Sequence, residues 1–315
     1  MKKKGFIKLS DEELRKRIAR YEKQGTNLKR YGLLGAIIGL IGVLICMALE
    51  SELVVIFVFM ILLVGGVCYY MCAHLRWKAE SLVREQLDGF FEAELEKTFG
   101  PRLHTPEMSI NESFLKESHP VDRHWTNCRV WRFYEGNYHG THFSASNVEL
   151  YELRQLAGED DLRDATETVF EGVVLRCRNI CDPALNIALR RPWTDSKKSD
   201  SPDSHTSDIT NPDIFRQLFS ARTADDQPAD DWVTPGLREL IRKLESLSEK
   251  YTVNALIFRD GEVILALSGW HSFADSLPPK GKSLQNIPEI RMRFAASLTP
   301  MCVLIDTLRD SCGEI

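Results

Sequence analysis

Four of the eight histidines and four aspartates in one loop are the side chains whose spacing could do chemistry, and that spacing decides which chemistry is open to them. His139 and His142 form the tightest histidine pair. Three residues apart on a strand they point to opposite faces, so one metal ion would need a bulge to take both. His119 and His124 lie in a loop-like stretch and could join one of them, but no thiol or carboxylate pattern completes a coordination set. Asp225, Asp226, Asp230 and Asp231 could offer oxygen ligands to a divalent cation. Pro228 interrupts that run, the spacing is not that of an EF-hand, and carboxylates ahead of a helix also complement its positive end, so a solvated acidic loop accounts for them.

Covalent chemistry finds no better foothold. The eight cysteines form no disulfide framework, and Cys177 and Cys181, four apart, have no second pair to make a zinc set. The sequence has no phosphate-binding glycine loop, no nucleophile elbow and no HExxH. No catalytic residue, metal ligand or cofactor site is assigned. Catalytic groups converge in space rather than in sequence, so an enzyme is not excluded. Trp131 and Phe133 beside Arg129 and Arg132 could stack bases, but the charge balance argues against nucleic acid as a partner. Residues 1–30 hold eleven cations against four carboxylates, a balance of +7, and the whole chain is −5, which leaves −12 for everything after residue 30.

What must position any site is an apolar hairpin. Residues 31–49 and 53–72 are runs of 19 and 20 residues without a charge, separated by Glu50, Ser51 and Glu52. At about 1.5 Å per residue each run reaches across a hydrocarbon core of roughly 30 Å, so both read as transmembrane helices. Three residues cannot carry the chain back across a bilayer, so the spans form an antiparallel hairpin with both chain ends on one side. The basic arm, together with Arg76, Lys78 and Arg84 after the second span, places that side in the cytoplasm. The expected location is therefore the inner membrane, multi-pass, with lipid as one partner. Gly35, Gly39 and Gly42 share a face of the first span, suited either to packing the hairpin on itself or to a homo-oligomer.

The flanking segments continue the helical pattern. Ser10 and Glu13 have capping-box spacing ahead of Leu14, Ile18 and Tyr21, so the arm at 1–30 reads as a cationic helix. Past residue 72, Val83, Leu87, Phe91, Leu95 and Phe99 recur every fourth residue up to Gly100 and Pro101. This stripe predicts a helical stalk over 73–100 that docks on the soluble domain or on another copy through Leu87, Phe91 and Leu95.

Residues 101–315 read as a cytoplasmic domain. Segments 129–134 and 138–144 flank Glu135-Gly136-Asn137 as a hairpin, and 169–176 and 185–189 read as further strands. A Ser/Asp-rich run at 192–211 reads as a flexible loop. Thr234 and Pro235 head a helix with Leu237, Leu240, Ile241, Leu244 and Leu247 on one face, and Asp260-Gly261 turns a hairpin between 252–258 and 262–267. A last helical segment starts near Pro288 and is expected to break at Thr299-Pro300.

This order of motifs resembles the bacterial DUF3137 family, a domain of unknown function with an amino-terminal pair of spans. The resemblance is carried by 131–149, from Trp131 to Glu149, by Phe170 to Arg176, by Asn211 to Phe215 with Phe219, by Thr234-Pro235 and by the hairpin at Asp260-Gly261. It covers nearly all of residues 75–310 and departs at the acidic 225–231 loop and the Ser/Asp-rich run. It implies a membrane-anchored cytoplasmic domain and brings no catalytic residues. The expectation is an α+β chain: a two-helix transmembrane hairpin, a helical stalk and a mainly antiparallel sheet with packed helices. Its expected role is an interaction or scaffold module with a protein partner or a second copy; a tethered enzyme or small-ligand sensor using a cleft between the sheet and the Thr234 helix is the alternative.

Overall fold

The fold is described from a computed structural model, which covers residues 9–48, 54–156, 163–192, 209–223, 227–247, 251–269, 273–274 and 283–313. The expected hairpin tip at Glu50-Ser51-Glu52, most of the Ser/Asp-rich run, and Asp225 and Asp226 lie outside these residues. The chain forms two compact units, Met1–Ala93 with Ser276–Phe294, and Glu94–Asp275 with Ala295–Ile315. The boundary thus falls inside the expected stalk, and 276–294 joins the unit that holds the two long apolar helices.

In the first unit, helix α1 (Asp11–Ala48) and the first part of helix α2 (Val54–Phe99) are antiparallel neighbours. The arm and the first span form one helix, as do the second span and the stalk. Ser10 and Glu13 close the expected capping box: the Glu13 amide donates to Ser10 Oγ, and the Ser10 amide to Glu13 Oε2. The Leu9 amide donates to Gln86 Oε1 at 2.8 Å, and Cys72 Sγ lies 3.4 Å from the Gly25 carbonyl. Between these ties Leu14, Ile18, Ala79 and Val83 are buried. Further along, a Cβ on Gly35 would meet Val64, and one on Gly39 would collide with Ile61, so these two glycines face α2 of the same chain. Gly42 is half-buried on α1. Both helices are long and apolar enough to cross a membrane, and only 6% and 0% of their most apolar windows are buried.

Residues 283–294 complete this unit. Glu22 on α1 accepts hydrogen bonds from Ser283 Oγ, the Leu284 amide and Gln285 Nε2. Arg291 pairs with both oxygens of Asp11 at 2.8 Å and lies over the Phe90 ring, while Phe294 packs on Phe91 with centroids 4.4 Å apart. Leu87 and Phe91, expected to dock on the soluble domain or on another copy, are buried within the chain. The arm is long enough to run back beside α2, and it takes up that stripe itself.

The second unit is a seven-stranded sheet in the order β1-β2-β3-β7-β6-β4-β5, with every pairing antiparallel. Its strands are β1 (Asn127–Tyr138), β2 (Thr141–Leu156), β3 (Arg163–Arg178), β4 (Ile187–Arg190), β5 (Ser220–Thr223), β6 (Thr252–Arg259) and β7 (Glu262–Ser268). With α1, α2 and four further helices this is the expected α+β class. Asp260 and Gly261 turn β6 into β7 with φ of 51° and 77°, as a type I′ pair requires.

The β1–β2 turn is not at Glu135-Gly136-Asn137. Those residues pair with Ser144, Phe143 and His142, and the turn falls at His139-Gly140, with φ of 48° and 86°. Packing overrides the local turn signal. Glu135 is fully buried, and a Cβ on Gly136 would come 2.7 Å from the Phe99 carbonyl, so glycine is there for a close approach. A bulge between Trp131 and Tyr134 adjusts the register.

The two sheet faces are covered differently. One carries Val174, Ile264, Ala266, Ala255, Ile257 and Ala188, which join Ile110, Leu115, Val121 and Trp125 from helix α3 (Glu112–Ser118) and its flanks. The alternating residues, among them Leu175, Leu265, Leu256 and Phe258, point the other way and are equally buried. Helix α5 (Pro235–Ser246) packs along β6, and its Leu237, Leu240, Ile241 and Leu244 are completely buried outside the α3 cluster. Thr234 caps it through the Leu237 amide, as expected from Thr234-Pro235. Leu95 and Phe99 at the end of α2 are buried in this unit, Phe99 against Tyr134, Tyr138 and Phe143.

Helix α6 (Ile287–Cys312) runs through Pro300 without the expected break. Proline inside a helix costs about 3 kcal/mol. Phe294, Leu298, Met301, Leu304, Ile305 and Leu308 are all buried on either side, and this burial outweighs that cost. At the sheet edge next to helix α4 (Pro212–Leu218), residues 227–229 lie against β5: the Thr223 amide donates to the Gln227 carbonyl and the Ala229 amide to the Ala221 carbonyl.

Candidate functional site

Among the described residues, four fully buried aliphatic side chains, Leu237, Leu240, Ile241 and Leu244, fill the interface between the sheet and the Thr234 helix where a cleft was expected. The open space is over the α3-covered face, where α3 and the chain after it reach only part of the way to β5. The result is a cleft of about 1260 Å³. Its floor is Ala188, Ile257 and Ile264, one each from β4, β6 and β7. One wall is the end of α3 and the following segment to Trp125; the other is β5.

Local structure explains the first wall. Asn111 caps α3 by accepting from the Phe114 amide, and the helix ends at His119 in the left-handed region, φ 47°. Arg190, on the same face as Ala188 two residues earlier, donates to the Ser118 and His119 carbonyls at 3.2 and 2.7 Å. The strand thereby holds the helix end. Arg123 is bound to Glu152 and Glu167 and is neutralised in place. Arg259 donates to Glu117 at 2.6 Å, an ion pair whose two side chains are 43% and 61% exposed. Such a pair is worth about 0–1 kcal/mol and is easily exchanged for another anion.

A second cavity of about 310 Å³ continues the first, sharing Glu117, Ser118, Arg259 and Ile264 with it. Arg176 and Arg178 line this end, both paired with Glu262. Where the two cavities meet, Ser118 is 5% exposed and its Oγ has no hydrogen-bond partner.

His119 and His124 line the cleft, whereas His139 and His142 lie elsewhere. His139 bonds Asp306 at 3.0 Å and His142 bonds buried Glu135 at 2.8 Å, so each ring meets its own carboxylate. Among the described residues no three His, Cys, Asp or Glu side chains converge as a metal would require. Burial pushes the thiols of Cys128, Cys177 and Cys302 up, and those of Cys181 and Cys312 to about 11 and about 12. Thiols held protonated in this way are poor nucleophiles. What the cleft offers is an apolar floor between polar walls, where Lys116, Arg123 and Arg259 are each already paired with a carboxylate.

Burial alone would push Glu135 up, but hydrogen bonds from Thr105 and His142 outweigh it and leave this carboxyl below its ordinary value. A group depressed in the folded state stabilises above its unfolded value near 4.5 and loses that contribution as pH falls through the folded value. Glu135→Gln is therefore expected to be less stable than wild type by about 1–3 kcal/mol at pH 7, with the gap closing below about pH 4.5. Denaturant melts at pH 7 and pH 3.5 check this; a gap that stays constant would count against it.

Comparison with family models, with curated proteins and with solved structures finds no match for this chain.

Proposed function

We propose that the chain is a membrane-anchored interaction module, with α1 and α2 as the anchor and the α+β unit in the cytoplasm offering its cleft to a protein partner. The observation that carries the reading is the bareness of the two spans: 6% and 0% of their apolar windows are buried, where a core helix of a soluble protein would be covered. Basic residues flank both spans on the side of the chain ends, which favours the cytoplasm for the arm and the domain. The arrangement also fits what the DUF3137 resemblance implies. Among the described residues the cleft brings together binding groups and no nucleophile paired with a base, which favours recognition over turnover.

Two measurements test this. The protein is expected to stay with the membrane pellet through alkaline carbonate extraction, and release into the supernatant would remove the anchor. A cysteine replacing Asp213, whose side chain is 86% exposed, is expected to react with an impermeant maleimide only after spheroplasts are broken. Labelling in intact spheroplasts would place the domain on the opposite side.

A further inference from the structure

We propose that the junction between the two spans and their helical extensions is a collar that binds the headgroups of anionic phospholipids, an inference resting on the anchored-module reading. Three observations point to that ligand. The first is charge that the chain itself does not neutralise. Cys72 Sγ lies 3.4 Å from the Gly25 carbonyl, which sets residues 23–31 of α1 beside 70–78 of α2. Lys23, Lys29, Arg30 and Lys78 are all exposed in these two stretches, and among the described residues none of them is bonded to a carboxylate. Neither stretch contains an Asp or a Glu. The carboxylates that follow or precede them in the chain are engaged: Glu22 accepts from Ser283, Leu284 and Gln285, and Glu80 holds Arg76 at 2.6 Å.

The second is depth. Lys29 and Arg30 adjoin the first uncharged run, and Lys23 and Lys78 stand about 12 Å along their helices from Tyr31 and Tyr70. A headgroup layer adds roughly 5–7 Å to each side of the hydrocarbon core. A lysine stem lying along the helix, with its ammonium turned back toward the bilayer, spans the rest. Lys23 and Arg30, seven residues apart, share the side of α1 opposite Gly32, whose added Cβ would meet Cys68 of α2. The charges therefore face outward, where lipid lies, and not into the helix pair.

The third is an aromatic ladder at the same level. Tyr70, His74 and Trp77 stack along α2 with ring centroids 6.2 and 5.8 Å apart, and Tyr70 and Trp77 are 71% and 62% exposed. Tyr31, next to Gly32 on α1, is exposed as well. Rings this open are poorly placed in water. At the headgroup level their apolar bodies are covered while their polar edges stay wet, which is where Trp and Tyr gather. Unneutralised cations beside such rings favour an anionic lipid surface over a zwitterionic one. An acidic protein segment would meet the cations but leave the ladder bare.

The test extracts the full-length protein with a styrene–maleic acid copolymer from vesicles of equal parts phosphatidylcholine and phosphatidylglycerol, and measures the lipids carried with it by mass spectrometry. Phosphatidylglycerol is expected to be enriched about threefold over the vesicle average, and less as salt is raised. Lys23→Gln, Lys29→Gln, Arg30→Gln and Lys78→Gln together are expected to return the ratio to the average. The milder Arg30→Gln with Lys78→Gln should remove about half of the enrichment and serves if the fourfold variant does not insert. Arg15→Gln with Arg17→Gln, on the same helix but about 20 Å from Tyr31 and so beyond a Debye length of about 8 Å, should leave it unchanged. Wild type carrying the vesicle average, enrichment indifferent to both collar variants, or equal loss in the Arg15 and Arg17 control would overturn the proposal. So would loss in inorganic phosphate but not in chloride of equal ionic strength, which would mark a site for free anions. A protein that resists carbonate extraction yet shows no enrichment removes the collar alone, whereas one released by carbonate removes the anchored module, so the two readings fail separately.

Discussion

Gly172→Val is expected to prevent the second unit from folding. Gly172 lies in the middle strand of a three-strand stretch, opposite Val148 on β2 and Ser268 on β7. A Cβ there would run into the Leu267 carbonyl of β7 and come within 3.0 Å of the Phe170 ring. The obstacle is backbone, which no rotamer change can relieve, so β3 and β7 must part where they first pair. Loss of that register uncovers both faces at once, since Val173 and Val174 next to it serve opposite sides of the sheet. The expected cost exceeds about 4 kcal/mol. For a domain of this size that is a fall in melting temperature on the order of 10 °C, or no folded protein at all. A variant melting with the wild type would show that β7 does not approach β3 this closely.

The second large effect is Leu87→Lys. Leu87 is 2% exposed on α2, beyond its apolar stretch and one turn from Phe91, and the unit around it is built from α1, α2 and residues 283–294. A lysine head buried there has no partner prepared for it, and an uncompensated buried charge costs about 3–5 kcal/mol. Hydrogen exchange of the full-length protein in detergent is expected to lose protection in 11–22 and 283–294 while the strands keep theirs. Leu87→Met, which conserves volume, should cost less than about 1.5 kcal/mol. Equal protection in the lysine variant would mean that the arm does not cover this face.

The elements that could be read from the sequence are those with strong local signals: the two uncharged runs, the Ser10 capping box, the Thr234-Pro235 start and the Asp260-Gly261 turn. Misreadings occurred where tertiary packing outvoted such a signal. Glu135-Gly136-Asn137 looks like a turn, but Glu135 is buried among hydrogen-bond donors and Gly136 clears space for Phe99. Pro300 looks like a stop, yet the buried stripe continues past it. Leu87 and Phe91 were legible as an apolar stripe, but nothing local says that the chain's own arm and residues 283–294 would bury it. The cleft was hidden for a different reason. Ser118, Arg190, Arg222 and Arg259 are far apart in sequence and come together only through the strand order β7-β6-β4-β5. The available hint was that two strands end in arginine, Arg190 and Arg259, two residues after Ala188 and Ile257 on the same face.

The cover over β5 has a consequence for how copies of this chain meet one another. Anchoring confines proteins to a plane, where neighbours meet often and any open strand edge invites another to pair with it. Here residues 227–229 already occupy the outer side of β5, and Pro228, opposite Arg222, has no N–H to hand the ladder onward. Across the sheet, the Leu103 amide takes the Glu135 carbonyl and Arg102 the Phe133 carbonyl, closing part of β1 as well. Both outer strands are thereby covered over part of their length, which leaves less open edge for a second copy to pair with.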